Sequence, residues 1–375
     1  MRFVHVGDLH LGKVIHQNSL LEIQRELLFE LLSYMDNEDI RLLVIAGDVY
    51  DRYIPSQEAV NLLDEFLSEA TMTYHIEVLM ISGNHDSADR LHFASSLLQK
   101  EGLFIETYLK EELAYVEKDN VRFYLMPFAK PSQIKHMYDL ETMPTYQEAF
   151  EIYLSHQSLD KSYKNIMITH QFVGHSSITS DSEMPMSVGG SEVLSASLFD
   201  DFDYVALGHL HAPQAVTRET MRYSGSLMRY SFDETSQKKS ITIVDTDDMS
   251  ISFYELHPSM NLEKYKGTFD ELMNPDFINK KDDFLAFELE DDMLIPHAID
   301  KLRVLYPHLL QITYTYLMKQ ESQKVNQSIH QIEKVNMPDL FKEFYYEMKN
   351  QELNEKQMEV VENMLEKVGD ESEDY

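Results

Sequence analysis

Five short blocks hold the side chains able to do chemistry: Asp8-Leu9-His10, Gly47-Asp48, Asn84-His85-Asp86, His170 and His209-Leu210-His211. Residues two apart in an extended segment point to the same side, so Asp8 and His10 can share one ion, and His209 and His211 repeat the arrangement. Asp48 follows a glycine at the end of a strongly apolar run, where a carboxylate is costly unless something binds it. Asn84 and His85 are adjacent and should diverge, one toward a metal and the other toward substrate. Carboxylate, imidazole and amide oxygen without thiolate suit Mn2+, Fe2+ or Zn2+ and do not suit a structural zinc finger. Each block alone has a plainer explanation. A single histidine is usually packed or solvated, Gly47-Asp48 could be a turn, and Asp86 or Ser87 could cap the helix that follows. Five blocks in order, each at a predicted strand end, go beyond what those explanations produce.

The elements that must position these blocks alternate. Residues 3–6, 41–46, 77–82, 165–169 and 204–207 read as apolar strands, and residues 20–35 and 59–67 carry helical spacing. In open α/β sheets, sites form beyond the carboxyl ends of strands, which is where every block falls. After residue 215 the pattern turns to β, with strands predicted at 221–224, 240–245 and 250–256, and these are expected to build a second sheet packed on the first. Residues 284–289, 296–306 and 309–314 read as strand, helix and strand, a small α/β module. Residues 317–336 are polar and linker-like. Beyond Pro338, Phe341, Phe344 and Met348 line one helical stripe, and Val361, Met364, Leu365 and Val368 another. That first stripe could recognise a partner helix or pack on its own domain. The acidic stretches 110–120 and 287–292 are expected to be solvated faces.

Composition bounds the rest. The chain has 375 residues, 43% hydrophobic and 26% charged, as an ordinary globular protein has. It contains no cysteine, which excludes disulfides, thiolate metal sites and cysteine nucleophiles, and fits a reducing cytoplasm. No signal peptide or membrane-spanning run is evident, so a cytoplasmic location is expected. The formal net charge of -33 opposes the basic footprint of a nucleic-acid binder. Bound divalent cations, a basic partner, or acidic residues held away from the cleft would each reconcile the two.

The five blocks together resemble the signature of the calcineurin-like metallophosphoesterases. Within them, residues 182–191, 202–214 and 223–232 are similar to the SbcD family of nuclease subunits, a resemblance that covers about residues 1–255. It implies an α/β fold: a four-layer β-sandwich flanked by helices (residues 1–258), a small α/β capping domain (259–318) and a helical partner-binding segment (337–368). It implies two divalent metal ions, expected to be Mn2+. One is held by Asp8, His10, Asp48 and His211; the other is held by Asp48, Asn84, His170 and His209, with Asp48 bridging. His85 then stabilises or protonates the leaving group, and Asp51 orients His85. Arg52 is a candidate phosphate contact, with an exposed loop arginine as the alternative.

The implied activity is phosphodiester hydrolysis in DNA double-strand-break processing: a 3′-to-5′ exonuclease on duplex DNA, ATP-dependent with SbcC, and an endonuclease on single strands and hairpins. The implied partners are DNA and an SbcC-like coiled-coil ATPase, in a heterotetramer built on a homodimer that would pair through helices near residues 56–70 and 88–100. A small-nucleotide phosphodiesterase or phosphatase keeps the metals and loses the DNA. A non-catalytic scaffold for an ATPase is a third possibility, opposed by the completeness of the ligand set. The signatures of a protein serine/threonine phosphatase are poorly matched, since Tyr53 follows Arg52 where glycine is expected.

Overall fold

The computed structural model describes residues 1–174 and 192–316, together with residues 345, 357 and 358. The strands in chain order are β1 (Arg2–Val6), the short pair β2 (Val14–Ile15) and β3 (Asn18–Ser19), β4 (Leu42–Ala46), β5 (Glu77–Ile81), β6 (Leu103–Glu106), β7 (Ala114–Lys118), β8 (Val121–Met126), β9 (Lys164–Thr169), β10 (Tyr204–Leu207), β11 (Gln214–Val216), β12 (Arg218–Tyr223), β13 (Ile241–Asp245) and β14 (Ser250–Tyr254). They form two six-stranded sheets, ordered β14-β13-β1-β4-β5-β6 and β11-β12-β10-β9-β8-β7. The second has parallel strands at its centre and an antiparallel pair at each edge, while the first is parallel from β1 through β4 and β5 to β6 and antiparallel only on the β13–β14 side.

Side-chain alternation explains the four layers. Along β4, Leu42, Val44 and Ala46 join Phe3, Leu79, Phe123, Ile166, Ile168 and Tyr204 in the cluster between the sheets. Leu43 and Ile45, pointing the other way, pack with Leu27, Leu28 and Leu31 of the helix Leu21–Asn37 and with Leu62 and Phe66 of the helix Gln57–Ser68. The outer face of the second sheet is covered in turn by Ile134, Phe150 and Tyr153, from the helices Pro131–Met137 and Tyr146–Ser155. Strands covered on both faces need apolar residues at nearly every position, as in Leu-Leu-Val-Ile-Ala of β4. Local signals fix the helix starts. Ser56 accepts from Ala59 N, and Thr145 with Glu148 forms a reciprocal capping box.

Two expectations are corrected. Of the three strands expected to build the second sheet, that near 221–224 does so as β12, whereas β13 and β14 join the first, where β13 lies antiparallel to β1. The second sheet also draws on β8 and on β7, which lies within the acidic stretch 110–120 expected to be a solvated face. β7 is an edge strand whose alternate residues Tyr115 and Glu117 are exposed, which accounts for its polar sequence. The expected helix near 88–100 is broken into Ala88–His92, Ser95–Leu98 and a 3-10 turn Gln99–Glu101, because Ala94 adopts a left-handed φ of 61°.

The described chain divides into two compact units, one of residues 1–264, 280–286 and 306–310, the other of 265–279 and 287–305 together with the described residues from 311 on. The later elements include the strands Leu262–Gly267, Phe284–Leu289 and Leu309–Tyr314 and the helix Ala298–Arg303. The two hydrophobic stripes beyond Pro338 lie outside the described residues.

Register brings the chemistry together. Val6 pairs with Ile45 and Ala46 with Ile81, so Gly7-Asp8, Gly47-Asp48 and Gly83-Asn84 leave the first sheet side by side. Leu207 pairs with both Thr169 and Tyr223, so His170, Gly208 and Ser224 leave the second sheet together. The sheets meet so closely here that a Cβ on Gly208 would lie 1.9 Å from the Ala46 carbonyl oxygen. Gly208→Ala is therefore expected to destabilise the protein by about 1–3 kcal/mol, the usual cost of overpacking a rigid core, measured by urea unfolding. An unchanged midpoint and slope would contradict this close approach.

Candidate metal centre

All seven ligand residues predicted from sequence converge in the first unit. Asp8, His10, Asp48, His170 and His211 are buried, and Asn84 and His209 partly so. The loops after β1 and β4 continue the sheet pairing, with Asp8 N donating to Gly47 O, His10 N to Asp48 O and Leu11 N to Val49 O, at 2.9–3.0 Å. Asp8, His10, Asp48 and His209 have positive φ values of 52°, 44°, 49° and 106°. Such conformations cost a non-glycine residue on the order of 1–3 kcal/mol and persist only where the surroundings impose them.

Lone pairs crowd on two sides of Asp48. His170 Nδ1 donates to the Ala46 carbonyl at 2.7 Å, which turns Nε2 toward Asp48 Oδ2 at 3.3 Å and Asn84 Oδ1 at 3.1 Å. His209 Nδ1 lies 3.1 Å from the same Asn84 oxygen, and its backbone N–H donates to both carboxylate oxygens of Asp8 at 3.0 and 3.1 Å. On the other side, His10 Nε2 lies 3.6 Å from Asp48 Oδ2 and 3.0 Å from His211 Nε2. His211 Nδ1 is engaged by Glu234 Oε1 at 3.0 Å. Ligand atoms of Asp8, His10 and His211 lie within 4.8 Å of one another, as do those of Asp8, Asp48 and His170, and those of His10, Asp48 and His85.

This donor set fits divalent cations. Two imidazole nitrogens facing each other, and an amide and a carboxylate oxygen facing a third, repel unless a proton or cation lies between them. Burial lowers the His170 imidazole, but the Asp48 charge and hydrogen bond outweigh it and raise the group to about 9. Burial, reinforced by His170, takes His209 down to about 3, and burial takes His211 down to about 4 against the pull of Glu234. The Asp48 carboxylate thus favours a proton on His170, while burial keeps His209 and His211 neutral, the form that binds metal.

Residues outside the predicted ligand set hold the loops of the centre together. Asp86 caps no helix; it accepts from the backbone N–H groups of Val49, Tyr50 and Gly83 at 2.8–3.1 Å, tying the second and third blocks together. Burial, and then the Asp48 charge, raise its carboxyl to about 6, and a cation on Asp48 would remove the second cause. Gln24 Nε2 donates to the carbonyls of Leu9 and His10 at 3.0 and 2.8 Å, and the Tyr230 hydroxyl donates to that of Leu9. Tyr230 belongs to the SbcD-like stretch 223–232; Gln24 and Glu234 carry no local signal.

The group that meets His85 Nδ1, at 3.0 Å, is the Asp51 backbone carbonyl. The carboxylate turns back toward the first block, 2.8 Å from Lys13 Nζ and 3.6 Å from His10 Nδ1, so the side chain faces His10 and not His85. His85 is partly exposed at the rim, with Nε2 4.0 Å from Asp48 Oδ2. The Arg52 side chain is 74% exposed and its Nε lies 3.8 Å from Asp51 Oδ2.

Comparison with known proteins agrees with this geometry. Residues 1–213 match the family model described as calcineurin-like phosphoesterase. The chain belongs to the calcineurin-like phosphoesterases. Residues 258–349 match a second model, described as type 5 capsule protein repressor C-terminal domain and designated SbcD_C. The chain is 32% identical over 371 residues to the SbcD subunit of the nuclease SbcCD from Staphylococcus epidermidis, covering 97% of this chain and 98% of that one. This places it in the SbcD branch of the family. Among solved structures, the protein TT1561 of Thermus thermophilus is similar at 11% identity and a TM-score of 0.39, over 68% of this chain and 99% of that one. A dimetal phosphatase from Danio rerio is similar at 12% and 0.39, over 65% and 91%. At these values neither likeness adds to the assignment. The enzyme is a metal-dependent phosphoesterase, and no helix among its described residues is long and apolar enough to cross a membrane.

Metal should stabilise the fold through these ligands. At about 100 times its dissociation constant, each ion is expected to add about 2.7 kcal/mol, visible as a rise in melting temperature. Asp48→Asn should abolish most of that rise, since the Asp48 carboxylate lies within 4 Å of imidazoles on both sides of the centre. A rise of native size in the variant would remove Asp48 from the ligand set.

Proposed function

We propose that this enzyme is the nuclease subunit of an SbcCD-type complex and hydrolyses phosphodiester bonds of DNA with two divalent ions, Mn2+ foremost. The observation that carries the reading is Asp48 Oδ2, which lies between His10 Nε2 and His170 Nε2 at 3.6 and 3.3 Å, as a shared ligand of two ions would. Asp8, His10, Asp48 and His211 would hold one, and Asp48, Asn84, His170 and His209 the other. When bound, such a pair supplies a hydroxide at neutral pH and positive charge against the phosphate oxygens.

The remaining steps belong to the chain. With Nδ1 engaged by the Asp51 carbonyl, His85 presents Nε2 toward the centre, suited to giving a proton to the leaving oxygen. Asp51, through its main chain, is a positioning residue for His85. Arg52 makes only a long contact with Asp51 and is exposed at the rim, in reach of a neighbouring phosphate. DNA as substrate is supported by the similarity to the SbcD nuclease subunit along almost the whole length of both chains.

The same similarity supports an SbcC-like coiled-coil ATPase as partner, met by the segment 337–368, and a homodimer within a heterotetramer. In this reading residues 1–258 form the nuclease domain and 259–318 the capping domain. A partner bringing basic surface would also reconcile a net charge of -33 with a polyanionic substrate. Exonuclease action on duplex ends, 3′ to 5′ and ATP-dependent, and endonuclease action on single strands and hairpins complete the proposal, in a cytoplasmic enzyme.

Cleavage of a closed single-stranded DNA circle by the purified chain with Mn2+ tests the reading, with Asp48→Asn as control. The native chain should linearise the circle and the variant should not. Intact circles after addition of the ATPase partner, beside hydrolysis of a small nucleotide diester, would replace the nuclease with a small-nucleotide phosphodiesterase.

A further inference from the structure

Two buried charged residues outside the ligand set meet behind His211. Glu234 Oε1 accepts from His211 Nδ1 at 3.0 Å, while its Oε2 accepts from Lys239 Nζ at 2.6 Å and from Tyr230 N at 3.2 Å. Lys239 Nζ donates further to the His211 carbonyl and Ser226 Oγ, both at 2.8 Å, and to Gln237 Oε1 at 2.7 Å. His211 is therefore gripped twice, by its ring through Glu234 and by its backbone through Lys239. Its other ring nitrogen faces His10 Nε2.

A desolvated ion pair of this kind is a poor way to gain stability, since apolar residues of the same volume do as well or better. Its placement points to the histidine. A carboxylate accepting the outer N–H of a metal-bound imidazole fixes the tautomer, holds the ring plane and strengthens the other nitrogen as a donor. The second half of the centre is built differently. His170 gives its outer N–H to a neutral acceptor, the Ala46 carbonyl. One half thus has a charged outer partner and the other a backbone dipole.

We infer that Glu234, itself held by Lys239, is a positioning residue that sets the metal affinity of the His10–His211 half and leaves the His170 half untouched, so that the two sites are tuned by separate outer partners. This deepens the two-metal reading above and rests on it.

Mn2+ titration of the full chain, followed by the electron paramagnetic resonance of free and spin-coupled Mn2+, tests the inference without relying on activity. The native chain should bind two ions and give the coupled signal. Glu234→Gln should weaken one site by about 10- to 100-fold and leave the other near its native affinity. The coupled signal should then appear only at correspondingly higher Mn2+. Because Glu234→Gln strands the Lys239 charge, the paired variant Glu234→Gln with Lys239→Met is measured beside it; removing both charges spares the fold, and the same single-site weakening is expected. Two native affinities in either folded variant would overturn the inference. Equal weakening of both sites would also overturn it, by reducing the pair to general support. A native chain that takes up no Mn2+ would instead bring down the two-metal reading, and this inference with it.

Discussion

The centre depends on placing one carboxylate, Asp48, in a buried position between imidazoles on two sides. Its oxygen lies within 4 Å of His10, His85 and His170, and its backbone sits at a positive φ. Burying that charge is costly, and the surrounding architecture is arranged to make it tolerable. Glycines flank it because no side chain fits: a Cβ on Gly83 would stand 2.1 Å from Asp48 Oδ1. The His85 backbone N–H donates to that same oxygen at 2.9 Å. Asp86 collects three backbone N–H groups from the neighbouring loops, so a second carboxylate does the mechanical work of fixing the first.

Charge organises the molecule on two scales. Over the whole chain the excess is strongly negative, which repels a phosphate backbone at long range. At the centre, buried carboxylates make the local field attractive to cations, and a bound divalent cation would reverse its sign. Selectivity for metal and for polyanion therefore resides in a small volume beyond the strand ends and not in the surface at large. The Lys13–Asp51 contact follows the same logic, since it balances a carboxylate that would otherwise add to the negative field beside His10.

The five blocks were legible because each joins a local signal to a chemical one: an apolar run, a glycine or turn, then a side chain unfit for burial. β1, β4, β5, β9 and β10 all lie within a residue or so of their expected positions for that reason. The assignment of strands to sheets was not legible. An apolar strand such as Ile-Thr-Ile-Val-Asp does not encode that its neighbour is β1, more than 200 residues earlier; that follows from long-range pairing alone. β7 was missed because an edge strand with one solvated face reads as polar chain. Asp51 shows a finer limit. Its spacing from Asp48 put it beside His85 correctly, but spacing does not say whether carboxylate or carbonyl faces inward. Glu234 and Lys239 were invisible because their meaning depends on His211 arriving from a different loop.

The pairing of β1 with both β4 and β13 has a bearing on how the protein is made. A strand synthesised early waits for a neighbour encoded by residues 241–245, and the last histidine of the candidate centre is residue 211. Until these segments have left the ribosome, the ligands cannot be gathered at one point. A nascent chain cut short before them therefore has no assembled centre. Long-range topology, slow to fold as it is, thus delays assembly of the centre until synthesis is well advanced.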